Sequence, residues 1–404
     1  MRHAALLAAA ALIGFGAASA QAQPDYYLYV AGGATTDGDM AETPEGVDND
    51  LDGRDNLALG SVLVADVDTD AKTVTNWRRA GNLLPDEHPD TGQYLHWGYL
   101  FNSVNYYNGR LYVGPATRFS ASDHDTVSPT MIAWADVNPD GSLGEFQLSD
   151  PFPEPPSTQR IGGTAFLEVN GSAYVYILGG AQDEPGYTDR ILYAPIDATT
   201  GEIGPWDTAG MTIPTTDWFN PAIGIDGTLV HFSGNQPDVP ADDRSMRVDL
   251  ITPEANGDLT GAWVSETYST DYSRRWEQAV MTATDPVGDT FLYLIAGSGA
   301  PRDLVYYTKF EFGLTSVWEN GTPLPEERGR PAGAAANDMI VMPGGSSTTG
   351  ASAGVTTVFI GTVAEGGQVT WEESPEPMMQ ARSYAGAAMA PVEDAVSVPE
   401  WMLY

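Results

Sequence analysis

Cysteine is missing from all 404 residues, lysine occurs only at positions 72 and 309, and one apolar run near the N-terminus is the longest. Without cysteine the chain has no disulfide, no thiolate zinc site, no attached c-type haem and no cysteine nucleophile. Histidine is scarce as well. Beyond His3 there are His88, His96, His124 and His231, with none of the HExxH spacing that binds zinc. Neither a GxSxG nucleophile elbow nor a phosphate-cradling GxxxxGK[ST] loop occurs. Basic residues are few: 18 Lys and Arg stand against 55 Asp and Glu, for a net charge of -37. Such a surface repels nucleic acid and anionic membranes, so neither is an expected partner. It suits a salty medium, where screening over roughly 10 Å or less weakens self-repulsion.

What is present begins with an export signal over residues 1–22. Arg2 and His3 precede the apolar run Ala4 to Phe15, and Ala18-Ser19-Ala20 or Ala20-Gln21-Ala22 supplies the cleavage site. The run is shorter than the ~20 residues that span a bilayer. A periplasmic or extracellular protein without membrane insertion is therefore expected, and a monomer.

The rest of the chain is repetitive. Six apolar strands end in a glycine turn: YLYVAGG at Gly33, RLYVGP at Gly114, YVYILGG at Gly180, TLVHFSG at Gly234, FLYLIAGSG at Gly297 and IVMPGG at Gly345. Six aromatic residues alternate with them, Trp77, Phe146, Trp206, Trp263, Trp318 and Trp371. A period of this size with strand patterning predicts an all-β propeller of six blades over residues 24–390, followed by a tail at 391–404. A lone blade cannot bury both faces, and stacking around an axis does so. The aromatics are predicted to fill the wedges between blades.

The order of a Gly-Gly strand end, a spaced Trp, a Pro-rich linker and a linker Arg resembles the Kelch repeat family. Gly-Gly is intact at Gly32-Gly33, Gly179-Gly180 and Gly344-Gly345, and linkers such as PFPEPP and SPEPMMQAR follow the aromatic markers. The resemblance implies a six-bladed Kelch-like β-propeller, and it leaves function open, since propellers host many activities. Exported six-bladed Kelch proteins include a sialic acid mutarotase. Oxidases of this type need a Tyr–Cys copper site, which a cysteine-free chain cannot build.

Ring closure is legible too. The mature chain starts on a second-strand pattern, and ARSYAGAAMA near the C-terminus is a first-strand pattern without a blade. Ala381–Ala390 is thus predicted to complete the first blade beside Tyr26–Val30. Short turns such as Asn108-Gly109, Asn170-Gly171, Asp226-Gly227 and Asn337-Asp338 fall on one face. Long loops and Pro-rich linkers fall on the other, where binding is expected.

Eight of the 18 Lys and Arg fall in the linkers, at Arg78, Arg79, Arg160, Arg274, Arg275, Arg328, Arg330 and Arg382. They either hold adjacent blades together or ring the mouth of the axial channel, where bidentate hydrogen bonds would take a carboxylate or sulfate. The candidate ligand-binding set is His96, Trp97, Arg160, Trp218, Asn220, Arg274, Trp276, Arg330, Arg382 and Tyr384. Glu277 beside Arg274-Arg275 and Glu326-Glu327 near Arg328 are the available pairs of an acid or base with an Arg, and Glu277 with Arg275 is the candidate catalytic pair. Asp48, Asp50 and Asp52, followed by Gly53, open like a calcium loop, although Leu59 replaces the twelfth-position Glu of an EF-hand. Calcium is the one cofactor suggested. Three functions remain open: first a binding module for a glycan or protein on the long-loop face, second an enzyme acting on an acidic sugar, and third a purely structural envelope component.

Overall fold

The computed structural model describes residues 23–35, 47–48, 57–82, 96–99, 103–115, 117–119, 131–153, 162–181, 187–217, 220–234, 246–269, 277–298, 301–311, 317–347 and 354–392. Six four-stranded antiparallel sheets follow one another along the chain and form a six-bladed propeller. Blade 2 runs outward through Val104–Tyr107, Arg110–Val113, Ala133–Asp136 and Gln147–Leu148. Blades 3, 4, 5 and 6 begin at Gly163–Val169, Ala222–Ile225, Ala279–Thr284 and Ala334–Ala336 and repeat that order. Blade 1 is composite. Its innermost strand is Gly386–Pro391, followed outward by Tyr26–Ala31, Ser61–Asp68 and Thr73–Asn82.

The closing strand pairs antiparallel with Tyr26–Ala31, placing Tyr26 opposite Pro391 and Ala31 opposite Gly386. It is shorter at its start than Ala381–Ala390. Tyr384 has a φ of 60°, which is incompatible with extended backbone, so the strand begins only after it.

Each pair of neighbouring blades shares one apolar core, and the six aromatics divide among the six cores. Phe146 lies in the core between blades 1 and 2, and Trp206 packs on that between blades 2 and 3. Trp263, Trp318, Trp371 and Trp77 continue the series around the ring. Three indoles also bond backward. Trp206, Trp263 and Trp371 donate Nε1–H to the carbonyls of Asp150, Thr212 and Thr322 in the preceding blade, at 3.0, 2.9 and 2.9 Å.

A second set of joints runs forward. Tyr29, Tyr112, Tyr176 and Tyr293, each fully buried on a second strand, donate their hydroxyls to the carbonyls of Gly141, Gly201, Gly257 and Gly367. These glycines lie in the third-to-fourth-strand turn of the next blade, where positive φ and a close side chain, a ring at Gly141, Gly257 and Gly367 and Arg110 at Gly201, leave no room for Cβ. On Gly257 that atom would meet the Tyr174 ring at 2.4 Å. Tyr176→Phe leaves a buried carbonyl without its donor and is expected to cost about 1–2 kcal/mol. Urea unfolding measures this, and an unchanged midpoint would count against the joint.

The glycine pairs have a backbone reason. Gly32, Gly179 and Gly344 have φ of 57–69°, and their followers Gly33, Gly180 and Gly345 have φ of 90–112°. In blade 5 Ala296 takes the first place at φ 57°. The predicted tight turns also hold: Asn108, Asn170, Asp226 and Asn337 all have φ near 46–51°. Two small sheets lie outside the blades. One joins Ala34–Thr35, Leu57–Ala58 and Val47–Asp48, and the other pairs His96–Tyr99 with Thr117–Phe119.

Candidate functional site at the channel mouth

The innermost strands enclose an axial cavity of about 250 Å³, lined by Asn105, Ala222, Thr282, Ala334 and Ala388 among others. The short side chains among these leave part of the space along the axis unfilled. Just ahead of the innermost strands of blades 5, 6 and 1 stand Glu277, Arg330 and Tyr384. All three adopt left-handed backbone, with φ of 60°, 52° and 60°. Such conformations cost non-glycine residues on the order of 1 kcal/mol or more, and they cluster where a side chain is held for a task.

The three are joined across the blades. Arg330 donates Nε–H to Glu277 Oε2 at 3.1 Å, and its guanidinium carbon lies 4.1 Å from the centre of the Tyr384 ring. The Tyr384 amide donates to the Arg330 carbonyl at 3.2 Å. Ser298 donates its hydroxyl to the same Glu277 oxygen. Glu277 is only 3% exposed, and burial pushes its pKa up against the opposing pull of Arg330, Ser298 and Arg302. The Arg330 side chain keeps 19% exposure, and its two Nη groups have no partner among the described residues.

The other predicted residues are distributed differently. Arg382 is 1% exposed and donates to the carbonyls of Gly32 and Ser61, the Ser61 hydroxyl and Gln380, so it ties the linker to blade 1. Arg328, two residues before Arg330, stacks on Phe359 and pairs with Glu326. The Tyr384 ring is covered by Arg330 on one face and is buried, which closes that face to a sugar. His96 and Trp97 sit on a short strand opposite Phe119 and Arg118. Arg160, Trp218, Arg274, Arg275 and Trp276 lie outside the described residues. So do Asp50 and Asp52, while Asp48 ends the two-residue strand Val47–Asp48.

Asn220 enters blade 4 as Glu277 enters blade 5, two residues before the first strand. It belongs to a buried polar cluster that sequence inspection did not anticipate. Its Nδ2 donates to the Leu178 carbonyl at 3.0 Å and lies 2.8 Å from His231 Nε2. His231 has zero exposure; its Nδ1 is 3.2 Å from Asp249 Oδ2, and its Nε2 is 3.4 Å from Asp217 Oδ1. Asp249 is itself held by Arg247 and Ser265. Burial alone would lower the His231 pKa, but the two carboxylates outweigh it and push it up to about 9. The neutral ring accepts at Nε2 from Asn220; the protonated ring donates there to Asp217. The one signal was a His inside the apolar strand TLVHF opposite Asp249. Arg302, in the loop AGSGAPRD, lies outside the linkers and carries no motif that would single it out in the sequence.

No known protein family matches the sequence, and no curated protein matches it. Among solved structures, the one described as the structure of YjhT is similar over 72% of this chain and 87% of that one. The TM-score is 0.51 and the identity 16%, a likeness of fold alone.

Proposed function

We propose that this is an exported Kelch-like propeller that binds a glycan or protein partner on its long-loop face. An anionic group of that partner is held on the open Nη edge of Arg330. The observation that carries this is the arrangement of Arg330 itself. Its backbone is strained, Glu277 takes only its Nε–H, Tyr384 supports its flat face, and the edge that matches an oxyanion bidentately stays unpartnered. Arg382 is engaged in tying the linker to blade 1, and Arg328 is buried, paired with Glu326 of its own linker. Calcium at Asp48, Asp50 and Asp52 remains part of the proposal as a support for the longest loop.

The second candidate is an enzyme acting on an acidic sugar, mutarotase-like in its chemistry. A buried carboxyl with a raised pKa beside an anion-binding Arg suits proton donation. Glu277 is already engaged by both Arg330 and Ser298, which favours binding. A glycan-array screen of the mature protein, with and without calcium, tests the first reading. Retained glycans are expected to carry carboxylate or ester anions; retention of neutral glycans alone would overturn it. Anomer exchange of sialic acid followed by NMR, lost in Glu277→Gln, would select the enzyme instead.

A further inference from the structure

Arg302 is 6% exposed, its Nε is buried without a hydrogen-bond partner, and its side chain makes no ion pair among the described residues. It lies in the second-to-third-strand loop of blade 5, against the linker to blade 6. A Cβ placed on Gly329 would come within 3.3 Å of Arg302 Nη1 and 2.9 Å of Ser346 Oγ. Main-chain bonds fix this crevice. The Arg328 amide donates to the Arg302 carbonyl at 3.2 Å, and Gly329 and Ser346 exchange amide-to-carbonyl bonds at 2.8 and 2.7 Å.

The charges around Gly329 are not all paired. Of the carboxylates near Arg302, Arg328 and Arg330, only Glu326 and Glu277 form ion pairs with them among the described residues; Asp303 keeps a buried Oδ1 without a partner and does not pair with Arg302. Glu326 serves Arg328, and Glu277 serves Arg330 and Ser298. The field of Arg302 reaches Glu277, but that carboxylate is already occupied. Burying an uncompensated charge is strongly unfavourable, so a buried Arg without an ion pair calls for a counter-anion. We infer that Arg302 anchors an anion site between blades 5 and 6 for a compact oxyanion of the sulfate or phosphate class, free or carried as an ester.

Its donors come from both blades: the Arg302 guanidinium from one side and, on release of its long 3.4 Å bond to the Gly329 carbonyl, the Ser346 hydroxyl from the other. An anion with three or more acceptor oxygens fits that spread better than a planar carboxylate. The free-anion form stands on Arg302 alone, whereas the ester form rests on the proposed ligand binding.

Calorimetry on the full chain, with sodium sulfate and with inorganic phosphate against sodium chloride at equal ionic strength, reads the site directly. Saturable heat is expected for wild type, with affinity reduced at least tenfold in Arg302→Met and less in Arg302→Lys. The melting temperature of Arg302→Met in chloride should equal or exceed that of wild type, since the variant no longer buries an unpaired charge. A monosaccharide sulfate and a monosaccharide phosphate form the second arm. If only the esters bind, the site reads a ligand's group; if the inorganic ions bind as well, it holds a free anion. No heat in either arm, or equal heat from wild type and Arg302→Met, overturns the inference. Retention of carboxylated glycans on the array beside a silent calorimeter would sink this site and leave the proposed function standing.

Discussion

Deleting residues 381–404 is expected to abolish cooperative unfolding. The closing strand supplies the whole first-blade partner of Tyr26–Ala31, and its alternating side chains serve two cores. Ala387 and Met389 face blade 6, while Ala388 and Ala390 face blade 2. The deletion also removes Arg382, whose guanidinium binds two main-chain carbonyls of blade 1 at 2.7 Å each. What remains is an open ring. An inner edge is unpaired, and Leu28 and Val30, both at zero exposure, lose their cover. Circular dichroism during heating should show a broad, shallow change with no transition. A melting curve like that of the full chain would disprove closure by this strand.

The second large effect concerns pH. His231 has a folded-state pKa near 9, above the ordinary imidazole value of 6.5. Its stabilisation is therefore fully present below pH 6.5 and is lost as pH rises through about 9. At 1.36 kcal/mol per unit, the change amounts to about 3 kcal/mol. The loss of stability between pH 6 and pH 10, read by urea unfolding, should be clearly smaller in Asp217→Asn than in wild type, since only Asp249 still holds the imidazolium. Equal pH slopes in the two proteins would show that His231 is not held as a cation.

The contrast between these two predictions marks what the sequence could show. Closure was legible because strand order is local: the chain begins on a second strand and ends on a first. The glycine pairs were legible because their backbone angles exclude other residues, and the tryptophans because large rings fill wedges. The tyrosine joints were not, since Tyr29 and Gly141 lie 112 residues apart and meet only when blades stack. Arg328 and Arg330 belong to one linker and look alike in sequence. The backbone turn at Arg330 sends one to Phe359 and the other to Tyr384. His231 and Arg302 carried no motif, because what distinguishes them is burial beside charged groups or away from them.

The channel mouth is tested most directly by Arg330→Gln, which keeps a polar side chain and removes the open charged edge. On the glycan array and in calorimetry with the glycan best retained by wild type, affinity should fall roughly 10- to 100-fold, the worth of a charged hydrogen bond of about 1.5–3 kcal/mol. The melting temperature should fall as well, since the buried Glu277 loses its charged partner, so affinity is compared on variant protein shown by circular dichroism to be folded at the assay temperature. Equal affinity for wild type and Arg330→Gln would contradict the placement of the ligand at this mouth.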